Sequence, residues 1–219
     1  MGYRWLMLDP MFPRLLFISL LTSLPVLADN AALEAWLNRQ ATFRTMEVAF
    51  VQERRLPSLK QPVSTPGKLA FAKPGRVRWQ LGDPVDALVL ADGAMITMVD
   101  YGEKTARRIP ADSPQAARFG MLTGHGFQSV ENFHEMFEVA AHRVESGIHQ
   151  YTLRLKKRKI RAEVPWVFLD IDPASHDLRA MELEARDGSR IRTVFQKPRL
   201  NVNLPAALFE VDLSGLTVK

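Results

Sequence analysis

The stretch GKLAFAKPGRVRW, residues 67–79, contains two short alternating apolar patterns on either side of a turn signal. Leu69 and Phe71 alternate with small or charged residues in the first half, and Val77 and Trp79 alternate with arginines in the second. Because successive side chains of a β-strand point to opposite faces, each half predicts a strand with one apolar face. The Pro-Gly pair between the halves is typical of a turn. The stretch therefore predicts two neighbouring strands of an antiparallel sheet.

The same period of two continues along the chain in both directions. Two Asp-Gly pairs are typical of hairpin turns between such segments. Many short strands with regular turn signals predict a barrel or a highly curved sheet, and the helical segments are too few for a parallel α/β fold. We expect about eleven strands, over 46–51, 68–72, 76–80, 85–91, 94–100, 103–109, 137–145, 148–158, 165–172, 178–186 and 189–197, with a last short strand over 209–213.

Two segments have helical spacing instead. Residues 31–43 place Leu33, Trp36 and Leu37 on one face, which predicts a helix in front of the sheet. Residues 112–136 predict two short helices that are interrupted by glycines. The expected fold is therefore mainly β (α+β), with one helical insertion.

Residues 1–28 have the order of a cleavable secretory signal peptide. Arg14 precedes a short apolar run, and small residues lead to a cleavage site directly after Ala28. The run is well below the ~20 residues that span a bilayer as a helix, which disfavours an uncleaved membrane anchor. Met11 is an alternative start. We expect an exported, soluble protein with a single domain over 29–219.

The chain contains no cysteine, although export usually permits disulfides. A bacterial lipid anchor needs a cysteine after the signal peptide, so we expect the protein to be free in its compartment. The formal net charge of +5 favours anionic partners without identifying one, and nucleic acid is not expected for an exported protein.

No pattern typical of catalysis is present. The five histidines lack metal-ligand spacing, and the chain has no nucleophile elbow, phosphate-binding loop or dinucleotide fingerprint. Asp170, Asp172 and Asp177 lie close together but lack a calcium-loop pattern, so we expect a polar strand end and turn there. We predict no enzyme activity, catalytic residue, metal or cofactor.

Residues 154–161 form the densest basic run, RLKKRKIR. Lysines at a solvated hairpin tip discourage edge-to-edge pairing, and this interpretation is favoured. Contact with phospholipid headgroups or an acidic partner is the alternative.

Soft apolar residues are unusually plentiful, and a curved sheet has one concave face that must be filled. Either helices fill that face, or they cover it and leave a cavity for an apolar ligand. The candidates are the methionines and aromatics Phe50, Phe71, Trp79, Met95, Met98, Phe119, Met121, Phe127, Phe133, Met136 and Met181.

Several short blocks occur in a familiar order. They are FVQ at 50–52, GKL at 67–69, KPGRVRW at 73–79, LVLADG at 88–93 and LPAALFEVD at 204–212. In this combination the chain resembles the periplasmic lipoprotein carrier family of the LolA type over nearly all of residues 29–219. The resemblance implies a highly curved antiparallel half-barrel with a helical lid over its concave face.

The resemblance also implies where a ligand binds. The acyl cavity and lid would include Trp36, Phe50, Phe71, Val77, Trp79, Leu88, Leu90, Met98, Phe119, Met121, Leu122 and Phe133. Members of the family often have an arginine before the proline of the KPGRVRW block, where it holds the lid closed. Lys73 occupies that position here and is the expected lid-control residue.

The expected function is that of a monomeric periplasmic carrier of lipoproteins or another acylated lipid. The resemblance implies that it receives its cargo from an inner-membrane lipoprotein-releasing transporter and delivers it to an outer-membrane receptor lipoprotein. A second hypothesis is an envelope-stress sensing module of the same fold that binds a membrane regulator. A lipid-modifying enzyme is the third, and it lacks a nucleophile–base pair.

Overall fold

The computed structural model describes residues 30–113, 116, 127 and 129–219. Within these ranges the helices are α1 (Ala31–Thr42), α2 (Val130–Met136) and α3 (Arg158–Arg161), together with a 3₁₀ helix at Ala206–Phe209. The strands are β1 (Thr45–Arg55), β2 (Val63–Ala72), β3 (Arg76–Leu81), β4 (Ala87–Ala91), β5 (Met95–Asp100), β6 (Thr105–Pro110), β7 (Phe137–Glu145), β8 (Ile148–Leu155), β9 (Trp166–Asp172), β10 (Asp177–Glu184), β11 (Arg190–Phe195), β12 (Arg199–Leu200) and β13 (Thr217–Val218).

All described strands belong to one sheet, in the order β13-β6-β5-β4-β3-β2-β1-β11-β10-β9-β8-β7, with β12 paired to β1. Every pairing is antiparallel except that of β13 with β6. Because β13 and β7 lie at opposite ends of this order, the described strands form an open sheet. The predicted mainly β fold with an open, curved antiparallel sheet is confirmed, and the two-residue strands β12 and β13 were not expected.

The concave face of the sheet holds the larger part of the core. Leu33, Trp36 and Leu37 of α1 are almost fully buried against the side chains of β8 and β9. This burial explains why the apolar face predicted over 31–43 forms a helix there, since short helices depend on tertiary packing for most of their stability.

The convex face of β2 to β6 is covered by the C-terminal segment, residues 204–216. Phe209 packs with Ala70, Ala72 and Leu90, and the following turns of the chain bury a second cluster. That second cluster contains Leu88, Val99 and Ala106, with Val211, Leu213 and Leu216 packed on it. Both faces of β4 are therefore buried, which accounts for its continuous apolar sequence.

The prediction of a short strand over 209–213 is wrong. Ala206–Phe209 is a 3₁₀ helix instead, and the residues that follow it form no ladder in the described sheet. Phe209, Val211 and Leu213 alternate because every second side chain packs down on the convex face. The period of two in this segment therefore reflects alternate side chains packing on the sheet, and it does not indicate strand pairing.

The predicted strand over 148–158 is too long, since β8 ends at Leu155 and α3 follows. Ile160 anchors this helical turn in the core, and Lys156 donates to the carbonyl oxygen of His134 at the end of α2. Lys157, Arg158 and Lys159 are exposed. The basic run is thus an anchored, solvent-facing turn between β8 and β9.

The second of the two short helices expected over 112–136 corresponds to α2. Its N-cap is Ser129, whose hydroxyl oxygen accepts from the backbone N–H of Asn132 at 3.1 Å. The glycines at 124 and 126, and the predicted lid residues Phe119, Met121 and Leu122, lie outside the described residues.

Candidate functional site

A cavity lies on the concave face over the central strands β3, β2, β1, β11 and β10, next to the C-terminus of α1. The space between its lining residues measures about 960 Å³, including the part open to solvent. The lining residues are Trp36, Arg39, Gln40, Phe43, Met46, Val48, Leu69, Phe71, Lys73, Trp79, Phe127, His176, Asp177, Leu178, Met181, Phe195, Gln196, Pro198 and Leu200.

The floor of the cavity is aromatic. Trp79 lies on β3 with its ring centroid 4.5 Å from that of Phe50 and 6.4 Å from that of Phe195. Gly67 permits this arrangement, because a methyl group at residue 67 would lie 2.3 Å from the Phe50 ring and 2.6 Å from the carbonyl oxygen of Gln80. The strand register places Phe50 opposite Gly67 and Phe195, so the three strands share one apolar floor.

One wall of the cavity joins α1 to the segment before α2. The Trp36 ring lies 5.3 Å from Phe127, which stacks on Phe137 at 5.1 Å. Phe133 is fully buried beside both phenylalanines. Aromatic pairs of this kind contribute both buried area and a specific geometry, so they fix the position of α1 over the sheet.

Lys73 lies at the polar end of the cavity and contacts the C-terminus of α1. Its Nζ donates to the carbonyl oxygens of Gln40 at 3.0 Å and Ala41 at 2.9 Å. The ammonium group also lies 5.7 Å from the centre of the Phe43 ring. Since the last carbonyls of a helix lack partners within the helix, a cation here stabilises the end of α1.

Arg39, also in the last turn of α1, connects that helix to the turn between β9 and β10. Its guanidinium group lies 3.2 Å from the Asp177 carboxylate and also donates to the carbonyl oxygen of Ser175. Asp177 is only 7% exposed, so the pair closes part of the cavity rim. The two contacts hold the end of α1 against the turn between β9 and β10.

The turn that carries His176 and Asp177 is itself fixed by Asp172. The Arg179 side chain and the backbone N–H groups of Ala174 and Ser175 lower the pKa of the Asp172 carboxyl group to about 2. A carboxylate that accepts several such bonds strongly favours its charged form. The aspartates predicted to form a strand end and turn therefore hold the turn that places His176 and Asp177 at the cavity.

The structure brings together four of the predicted site residues in the cavity lining, namely Trp36, Phe71, Lys73 and Trp79. Phe50 lies beside Trp79 under the floor, and Phe133 packs behind the wall. Val77 and Met98 lie further along the concave face, in a separate apolar cluster.

Leu88 and Leu90 do not reach the cavity. Both side chains lie on the convex face, beneath the C-terminal segment. Their neighbours Val89 and Ala91 point to the concave face, as the pairing of β4 with Val77 and Trp79 of β3 requires. The prediction that they line the cavity is therefore wrong. A strand buried on both faces has no polar side from which its orientation could be predicted.

Sequence reasoning missed much of the lining. Met46, Val48 and Leu69 could have been found from register, because Met46 lies opposite Phe71 and Val48 opposite Leu69. Arg39, His176, Asp177, Gln196, Pro198 and Leu200 reach the rim only through tertiary packing, and no local pattern indicates them.

Metal-binding clusters and membrane-spanning helices are both absent from the described ranges. These ranges contain no group of three or more histidine, aspartate or glutamate residues arranged to hold a metal ion. None of their helices is long and apolar enough to cross a membrane.

These features define a class of protein that binds its ligand in an apolar cavity on the concave face of an open, curved β-sheet. Residues 41–212 match the family model described as outer membrane lipoprotein carrier protein LolA. The chain therefore belongs to the LolA family, a family of carrier proteins, as the sequence blocks predicted.

Two curated relatives carry the name outer-membrane lipoprotein carrier protein. The relative from Dechloromonas aromatica is 25% identical over 85% of this chain and 86% of its own length. The relative from Cupriavidus pinatubonensis is 26% identical over 69% of this chain and 68% of its own. A crystal structure of an uncharacterized conserved protein from Thermus thermophilus has the same fold, with a TM-score of 0.51 at 8% identity, covering 87% of this chain and 97% of that one.

Proposed function

We propose that this protein is a periplasmic carrier that holds the acyl chains of a lipoprotein, or of another acylated lipid, in its concave cavity. The observation that carries the proposal is the open cavity with an aromatic floor in a member of the LolA family. In this proposal residues 1–28 direct export and are then removed, and residues 29–219 work as a free monomer.

The physics of acyl chains supports a protein host. Each CH₂ group removed from water contributes about 0.8 kcal/mol, so a chain leaves a membrane only for another apolar environment. Trp79, Phe71 and Phe195 offer such an environment on the floor. The end of α1 is held by polar contacts from Lys73 and Arg39 that can break and re-form as the cavity opens.

The proposed route follows the curated relatives, whose names describe a carrier for outer-membrane lipoproteins. The protein would accept cargo from an inner-membrane lipoprotein-releasing transporter and pass it to an outer-membrane receptor lipoprotein. No chemical step on the cargo is required, so the protein would act without catalysis.

Release of a lipoprotein from spheroplasts into solution tests this function. We expect the purified protein to release the lipoprotein, and Leu69→Glu to abolish release by placing a charge on the cavity floor. Lys68→Glu is the matched control, because the neighbouring side chain lies on the opposite face of β2 and is exposed. Failure of the unmodified protein to release any lipoprotein, while it still co-purifies with lipids, would contradict a lipoprotein cargo.

A further inference from the structure

The cavity has two chemically different ends. Val48, Leu69 and Trp79 lie toward its apolar end, whereas Arg39 and Lys73 lie at the rim beside the last turn of α1. His176, Asp177 and Gln196 add further polar groups to the lining. An elongated ligand in this cavity would therefore meet hydrocarbon contacts at one end and hydrogen-bonding, charged groups at the other.

The charges at the rim do not balance. Arg39 is paired with Asp177, whose carboxylate lies 3.2 Å away. Lys73, by contrast, has no carboxylate within 4.0 Å in the ranges that the structure describes, and its bonds go to two neutral carbonyl oxygens. An ammonium group has three N–H donors, so one remains after these two bonds. The partial negative charge of a helix C-terminus, about half a unit, offsets the charge of Lys73 only in part.

We infer that the cavity selects an amphiphile with an anionic group, a phosphate or a carboxylate, directly beside its acyl chain. This inference rests on the proposed acyl-binding function. Of its two cargo classes it favours an acylated lipid with its own anionic group over a lipoprotein, whose acyl chains are attached to an uncharged glyceryl cysteine. The anionic group would lie beside Lys73, and the chain would extend toward Trp79. The lysine ammonium group is a compact charge with N–H donors that suit phosphate and carboxylate oxygens.

A neutral acylglycerol would bind less tightly for a physical reason. Its head would displace water from Lys73 without supplying the charge that compensates for the lost hydration. The preference should therefore appear as a difference between ligands that share one acyl chain and differ only in the head.

Displacement of a fluorescent fatty-acid analogue from the purified protein measures that difference. The competitors are laurate, lauroyl-lysophosphatidylglycerol and monolauroylglycerol, which carry a carboxylate, a phosphate and no charge. We expect the two anionic competitors to displace the probe at roughly tenfold lower concentration than the neutral one, as a charged hydrogen bond would give. The stronger of the two anionic competitors identifies whether phosphate or carboxylate is the better match.

Substitution of the unbalanced cation tests the assignment to Lys73. Lys73→Gln should reduce the preference for anionic competitors to within a few-fold, and Lys73→Arg should retain it. Lys68→Gln, which removes an exposed charge from the other face of β2, should leave it unchanged. Thermal unfolding of each variant checks that the fold is intact.

The outcomes separate the two proposals. Equal displacement by all three competitors would overturn the anionic preference and leave acyl binding in place. Displacement by none of them would overturn the acyl-binding function itself. A preference that persists unchanged in Lys73→Gln would overturn the role of Lys73.

Discussion

Single residues determine how closely the strands and rings of the cavity floor approach. Gly67 shows this most clearly, because the Phe50 ring and the Gln80 carbonyl oxygen occupy the space in which a side chain would begin. The GKL block that marks the family in the sequence therefore has a local steric reason.

Gly67→Ala should lower the free energy of unfolding by about 1–3 kcal/mol, the usual cost of forcing a methyl group into a packed core. Urea denaturation measures the loss. Gly102→Ala is the matched control, since the nearest atom to its added methyl group would be an Asp100 carboxylate oxygen at 3.4 Å. Equal stability of Gly67→Ala and the unmodified protein would show that Phe50 can move freely.

Asp172 gives the rim turn a pH dependence. Its pKa of about 2 in the folded state lies below the value of about 3.9 for an unperturbed aspartate. The contribution of its carboxylate to stability is therefore fully present above pH ~4 and is lost as the pH falls through ~2. Asp172→Asn should be less stable than the unmodified protein at neutral pH, and urea denaturation between pH 5 and 2 should show the difference shrinking. A constant difference across that range would contradict the assignment.

Elements in this protein are specified by sequence to different degrees. The hairpin over 67–79 and helix α1 were predictable, because each has one apolar face and a local period that matches its structure. The orientation of β4 was not predictable, since Leu88 and Leu90 are buried on one face and Ala91 is buried on the other. The C-terminal segment shows a strand period although it only packs on a strand surface.

The same limit applies to the candidate site. Trp36, Phe71 and Trp79 were predictable as cavity residues because they lie on apolar faces of regular elements. The rim pair of Arg39 and Asp177 joins residues far apart in the chain. Such contacts depend on how α1 docks, and a local pattern does not encode docking.

The two faces of β4 should have separable roles. Leu90→Ala should lower the free energy of unfolding by about 2–5 kcal/mol, because it leaves a cavity beneath Phe209. Affinity for an acyl probe should be unchanged, since the Leu90 side chain points away from the concave face. Denaturation and probe titration of the same variant test both parts, and a weakened affinity at full stability would contradict the placement of this face.

At the scale of the whole molecule, the two faces of the open sheet have different roles. The C-terminal segment covers the convex face and stabilises the sheet, so the concave face can keep an open cavity. The basic turn at Lys157–Lys159 lies at the other end of the strands from the cavity rim, which leaves it free for contacts that do not involve the cargo.

Quenching of tryptophan fluorescence by a spin-labelled fatty acid tests the central claim most directly. The chain has four tryptophans. Trp36 and Trp79 line the cavity, Trp166 lies on the outer face of β9, and Trp5 lies within residues 1–28, the predicted signal peptide. In protein prepared without residues 1–28, Trp166→Phe should retain strong, saturable quenching, and the double substitution Trp36→Phe, Trp79→Phe should lose it. Quenching that depends on Trp166 instead would place the acyl chain outside the cavity and contradict its role.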